Sequence, residues 1–287
     1  MAEASTAQGS IAGAEEVHHS SIWPFVIAMA ALFGFAGVVF NLLISVFGFV
    51  LLWVGVGGWL LQDRHMRFGA PDEPTESFPF TAISIRKLGI WIFLASEVMF
   101  FTALIGNSFA LRVRSETLGI GWAAPGQVLN VPLTAINTFI LIASSFTMVE
   151  ALRAAERGNQ SQLKMFLLAT FLLGAIFVGI QAYEYNKLFF GEGLRPWGVD
   201  SAQLYASLHN GESVPLWWHT FGTTFFVQTG FHGAHVTGGV IALGFLTGKA
   251  FKGGYTAKDH EGIELVGLYW HLVDVVWIFL FTIVYLV

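Results

Sequence analysis

Seven stretches of this chain are apolar over lengths near the ~20 residues that one helix needs to cross a bilayer: 22–40, 42–61, 88–111, 133–152, 165–183, 217–246 and 265–287. Lipid offers the backbone no hydrogen-bond partners, so a lone stretch of this kind has one solution, a helix that pairs its own peptide groups. The composition agrees: 55% of the 287 residues are apolar, 15% are aromatic and 11% are charged, where a soluble domain carries about 25% charged residues. The expected fold is an all-α membrane protein of seven transmembrane helices. Only the neighbourhood of Asn41 separates the first two stretches, which predicts a tight N-terminal hairpin. All eight prolines fall at the starts of stretches or between them, so nothing predicts the broken helices of many transporter sites.

The organisation is then a polar tail over 1–21, two helices over 22–61, a loop over 62–87 and five helices over 88–287. Lys and Arg set the expected orientation. If the N-terminus is inside, the inner loops hold ten (Arg64, Arg67, Arg86, Lys87, Arg153, Arg157, Lys164, Lys249, Lys252, Lys258) and the outer loops four (Arg112, Arg114, Lys187, Arg195). This places the N-terminus in the cytoplasm and the C-terminus outside. The tail has no basic start, no cleavage site and no arginines, which favours a bacterial plasma membrane over import into an organelle. His18-His19, in a polar tail, has no assigned role. The loop near 186–215 reads as an insertion. Cysteine is absent, which excludes disulfides, thiolate metal sites and C-x-x-C-H haem attachment. No basic run suggests nucleic acid.

Several stretches carry groups that lipid penalises by several kcal/mol at the bilayer centre. Glu97 lies in the third, Gln181 and Glu184 at the end of the fifth, His232 and His235 in the sixth, and Glu264, His271 and Asp274 in the seventh. Residues three or seven apart share a helix side, so His232 goes with His235, Glu264 with His271 and His271 with Asp274. Gly230, Gly233, Gly238 and Gly239 thin the sixth helix and let a neighbour approach closely. Glu97 must be protonated or paired, with His235, a lipid-bound group or water as partners. The spacing admits interior hydrogen bonding, a proton relay through Glu97, Glu264, His271 and Asp274, a metal on His232, His235 and His271, or docking of lipid head groups or a partner subunit. No H-E-x-x-H motif supports the metal.

An ordered series of motifs resembles subunit III of the haem–copper cytochrome c oxidases. It runs through Ser21-Ile22-Trp23-Pro24, Ser96-Glu97-Val98-Met99-Phe100-Phe101, Asn137-Thr138 with Leu141 and Ser144, Gln181-Ala182-Tyr183-Glu184-Tyr185, and Thr229-Gly230-Phe231-His232-Gly233-Ala234-His235-Val236. It closes with Glu264 and Tyr269-Trp270-His271-Leu272-Val273-Asp274-Val275-Val276-Trp277. The resemblance implies a subunit with no catalytic residue, metal, haem or copper of its own. Haem and copper belong to its partners, subunit I, which reduces oxygen and pumps protons, and subunit II, which takes electrons from cytochrome c. It further implies that the hairpin leans from a five-helix bundle, leaving a cleft for phospholipid in which Glu97 lies, and that the subunit sustains proton uptake and protects the complex during turnover. Lipid-binding or buried polar roles fall to Glu97, His232, His235, Lys249, Glu264, His271 and Asp274.

The sequence departs from the family pattern in places. Ala103-Leu104-Ile105-Gly106-Asn107-Ser108 and Ala110 stand where the family often has G-F-F-W-A-F and a following histidine. Lys249 takes the place of a phosphate-binding arginine and Gly254 that of a histidine. Lysine is a point charge, whereas arginine grips phosphate bidentately. Two other readings remain to be distinguished: a stand-alone proton-coupled transporter, which would work as the isolated chain, and an intramembrane metal hydrolase, which would hold stoichiometric metal.

Overall fold

The computed structural model describes residues 22–40, 42–63, 83–194, 207 and 213–287. The tail 1–21 with His18-His19, most of the 62–87 loop and most of the 186–215 loop lie outside the described residues. Seven α-helices are described: α1 (Trp23–Phe40), α2 (Leu42–Asp63), α3 (Ile85–Thr117), α4 (Val131–Glu156), α5 (Gln160–Asn186), α6 (Trp218–Phe251) and α7 (Glu261–Phe281). Single π-helical turns extend α5 over Lys187–Gly191 and α7 over Thr282–Leu286. The helices fall into two units, divided at Asp72.

In the first unit, α1 and α2 run antiparallel. Glycines on α2 make the approach possible: a Cβ at Gly48 would strike the backbone of Gly34, one at Gly55 would reach Ile27 and one at Gly58 would enter the ring of Trp23. Small residues are what allow helices to pack where no hydrophobic effect drives them together.

In the second unit, local signals set the helix ends. Ser84, Asn130 and Asn159 cap α3, α4 and α5 by accepting the backbone N–H of Lys87, Leu133 and Gln162, satisfying donors that a helix start leaves free. Pro132 sits in the first turn of α4, where its missing N–H is no loss. Gly158, at φ +71, turns the chain from α4 into α5. At 1.5 Å per residue the 33 residues of α3 extend roughly 50 Å, more than the ~30 Å hydrocarbon layer. Its charged ends (Arg86, Lys87, Arg112, Arg114) therefore continue the helix past the apolar stretch 88–111.

Four of the described helical segments are long and apolar enough to cross a membrane: Ile85–Thr117, Val131–Glu156, Gln160–Gly191 and Glu261–Leu286. The apolar helical runs Trp23–Gly34 and Val46–Trp59 are shorter. Helix α6 has 34 residues but falls outside this group, because Thr, Gly, Gln and His residues dilute its hydropathy. Many of those residues face inward. Thr224, Gln228, Thr229, His232 and Thr247 are buried on α6, whereas Ile92 and Met99 on α3 and Phe139 and Phe146 on α4 are exposed. Polar groups inside and aromatic groups outside suit a lipid solvent.

The packing of the second unit centres on α7, which touches α3, α4 and α6. The fully buried indole of Trp270 occupies a slot between two glycines. A Cβ would come within 2.7 Å of the indole at Gly174 of α5 and within 2.8 Å at Gly239 of α6. The indole N–H donates to Ser144 Oγ at 3.0 Å, and that of Trp277 donates to Thr138 Oγ1 at 2.9 Å. Together with the contact of Gly267 on Met148, these pairs set α4 and α7 antiparallel.

Candidate functional site

The polar residues of the second unit meet in small separate groups. The one deepest within the α3–α6 contact joins Glu97 and His235, with His235 Nε2 at 3.0 Å from Glu97 Oε2. Glu97 stands on α3, and His235 sits in the Gly-rich middle of α6. Both side chains are largely covered, at 17% and 21% exposure. His235 Nδ1 lies 2.7 Å from the carbonyl of Phe231. A carbonyl only accepts, so Nδ1 carries a hydrogen. The hydrogen between Nε2 and Oε2 then makes the pair either carboxylic acid with imidazole or carboxylate with imidazolium. The rings of Phe100 and Phe101 flank His235, and the Tyr269 hydroxyl donates to the His235 carbonyl at 2.9 Å.

His232, one turn away, turns to α7 instead. Its Nε2 donates to the Val273 carbonyl at 3.1 Å, and its ring lies 4.7 Å from that of Trp277 and against Phe101 and Phe177. It is fully buried.

Glu264 is at the end of the unit. In the first turn of α7 it binds Lys87 Nζ at 2.7 Å, while Glu261 accepts from the Ser84 hydroxyl at 2.5 Å and pairs with Arg86 at 3.4 Å. These half-exposed bonds tie the start of α3 to the start of α7. Asp274 is buried and lies beside Ser145 of α4 and His271, yet neither Asp274 Oδ1 nor Ser145 Oγ makes a well-formed hydrogen bond. The structure thus does not join Glu97, Glu264, His271 and Asp274 into one chain of hydrogen bonds. Among the described residues no three His, Asp or Glu side chains gather in a way that could hold a metal ion.

Lys249, near the end of α6, stands 4.4 Å over the ring of Tyr255, a cation–π contact. Burial, helped by nearby Asp259, pushes the Tyr255 hydroxyl up to about 12, so the ring stays neutral. The two family departures noted above are coupled here. A Cβ at Gly254 would come within 2.7 Å of Lys249 Cγ, so the glycine makes room for the lysine stem.

Sequence reasoning singled out Gln181 and Glu184 as polar but assigned them no site. The structure gives both a buried role. Gln181 Nε2 donates to the Thr229 carbonyl at 3.0 Å, an approach that depends on Gly233, whose Cβ would crowd Gln181 at 3.2 Å. Glu184 Oε1 is 3.1 Å from Thr134 Oγ1, and Oε2 accepts from the Tyr285 hydroxyl at 3.1 Å. The Gln181–Tyr185 motif was the available signal for the first half of this cluster. Its partner Tyr285, 101 residues on, carried none.

The paired indoles, the Glu97–His235 bond and the Gln181–Thr229 bond bring together in space the motifs that define one class, the membrane subunits of oxygen-reducing respiratory oxidases. The family model for cytochrome c oxidase subunit III matches residues 16–193 and 212–287. This chain belongs to that family, and is therefore an all-α membrane subunit of an oxidoreductase complex. It is 37% identical over 201 residues to the probable cytochrome c oxidase subunit 3 of Mycobacterium tuberculosis (strain ATCC 25618 / H37Rv), covering 70% of this chain and 87% of that one. It is 36% identical over 204 residues to cytochrome c oxidase subunit 3 of Corynebacterium diphtheriae, with the same coverage. It is 33% identical over 223 residues to quinol oxidase subunit 3 of Bacillus subtilis (strain 168), covering 78% and 97%. The chain is longer than each of these relatives.

Proposed function

We propose that this chain is the accessory subunit III of a proton-pumping cytochrome c oxidase in a bacterial plasma membrane, crossing it seven times with the N-terminus cytoplasmic and the C-terminus outside. Subunits I and II are its partners and carry the haem and copper. Cytochrome c is the electron donor of the complex, and this chain holds no redox centre. It takes phospholipid. Through the Glu97 region it supports proton uptake by subunit I, lipid retention and survival of turnover. Lys249 serves a lipid phosphate, while His232, Glu264, His271 and Asp274 are buried or bridging groups that hold helices and the partner subunit together.

One observation carries this reading above all: the ionisable groups within the second unit meet in separate local contacts rather than one connected chain, as Glu97 meets His235 at 3.0 Å. A stand-alone transporter needs a connected relay, and a hydrolase needs a cluster of metal ligands. The test is affinity purification of the tagged chain from its native membrane. Co-purifying polypeptides with haem absorbance and cytochrome c-dependent oxygen uptake are expected. Purification of the chain alone, active in transport or with about one metal per chain, would overturn the assignment.

A second reading concerns the electron donor. The 33% identity to a quinol oxidase subunit of Bacillus subtilis favours a quinol-oxidising complex. Comparing oxygen uptake with reduced cytochrome c and with a quinol as donor decides between them.

A further inference from the structure

Where α3 finishes and α6 begins, a small cavity of about 20 Å³, room for a water molecule, opens between Ser108 and Arg112 of α3, Thr224 and Gln228 of α6, Trp122 and Val284. Gln228 is 2% exposed. Its Nε2 donates to the Thr224 carbonyl at 3.2 Å. This fixes the amide, because the reversed orientation would set two acceptors against each other. Oε1 has no hydrogen-bond partner among the described residues, and a buried acceptor left in this state costs ~1–3 kcal/mol.

One turn deeper, His232 repeats the pattern. Its Nε2 faces the Val273 carbonyl and so bears the hydrogen, and the ring is walled by Phe101, Phe177 and Trp277, with no carboxylate against it. The neutral tautomer leaves Nδ1 as a bare acceptor, also without a partner. At the pocket itself, Gln228 Oε1 suits a small molecule that donates a hydrogen. The Ser108 hydroxyl and the Arg112 guanidinium supply donors for its oxygen. An ammonium would face the charge of Arg112. A lipid phosphate would stop at Arg112, a turn nearer the surface than Gln228.

We infer that this pocket is a water inlet: it binds water against Gln228 Oε1 and admits it past Arg112. His235 lies seven residues from Gln228, ~20° around the same helix face. The inlet therefore holds water about two turns from the Glu97–His235 pair along α6. This holds whether or not the electron donor and partners proposed above are correct.

Hydroxyl-radical footprinting of the intact, tag-purified complex in lipid nanodiscs tests it, since radicals formed from bound water label the side chains around it. Phe225 lines the pocket at 1% exposure, whereas Trp270 is 0% exposed in a dry slot. Water bound in the pocket labels Phe225 about tenfold above the background at Trp270, although the indole is the more reactive group. Gln228→Leu returns Phe225 to background, and Ser108→Ala, a smaller change at the rim, lowers its labelling. Background labelling of Phe225 in the unmodified complex would overturn the inlet. Labelling that persists in both variants would do so too, because it would report bulk opening rather than bound water.

Discussion

The α4–α7 contact and the α3–α6 contact belong to the same unit but are built in opposite ways. Along α4–α7, neutral pairs do most of the joining, with Asp274 beside Ser145 among them: two indole N–H donors meet two hydroxyls, and Trp270 fills a slot that two glycines leave open. Along α3–α6, ionisable groups meet (Glu97 and His235), two acceptors of α6 lack partners among the described residues and a pocket reaches inward. Helix α3 buries only Phe101, Ser108 and Ser115 of its 33 residues. In lipid, where apolar contact alone does not drive helices together, shape and neutral hydrogen bonds make the permanent joint. A carboxyl–imidazole pair under aromatic cover is a costlier element, which fits a role other than holding helices together.

This contrast ranks the expected effects of substitution. The largest belongs to the Trp270 slot. Gly239→Leu drives a side chain into the indole, and overpacking costs ~1–3 kcal/mol or more where backbone cannot move. Loss of the subunit from the purified complex is the expected result, read from subunit stoichiometry. Next is Glu184→Leu, which strands the Tyr285 hydroxyl beside Thr134 at ~1–3 kcal/mol. Glu184→Gln keeps an acceptor and should cost less, as thermal dissociation of the complex will show. Asp274→Leu should weaken incorporation more than Asp274→Asn, which keeps the shape and some hydrogen bonding toward Ser145. Initial oxygen uptake per assembled complex should survive both, and its loss in assembled complex would place Asp274 in the chemistry. The smallest effect is that of Lys249→Met, which removes an exposed cation–π contact of about 0.5–1 kcal/mol and should change lipid content more than stability.

The positions of the helices were legible in the sequence, because a 20-residue apolar run has few other fates. Their ends were less so. Stretch 88–111 became Ile85–Thr117, since charged residues continue a helix through the head-group layer without adding hydropathy. Helix α6 shows the converse. Its Thr, Gln and His residues lower the hydropathy that marks a span, while its polar face is turned inward. The pairing of Glu97 with His235 was open to sequence reasoning as one of several partners. Spacing on one helix could not show that His232 turns to α7 and His235 to α3, because residues three apart still diverge by ~60°. The bond of Glu264 to Lys87 was equally hidden, because helix spacing aligned Glu264 with His271 and carried no information about which neighbouring helix start it meets.

The most direct test of the account is Glu97→Gln in the intact complex, with initial oxygen uptake, uptake over prolonged turnover and bound lipid measured together. Glutamine keeps the side-chain shape and a hydrogen bond to His235 but removes the acid. The account predicts full assembly and an unchanged initial rate, with a shorter active lifetime or altered lipid retention. An assembled complex with the same lipids and the same inactivation rate as the unmodified one would contradict it.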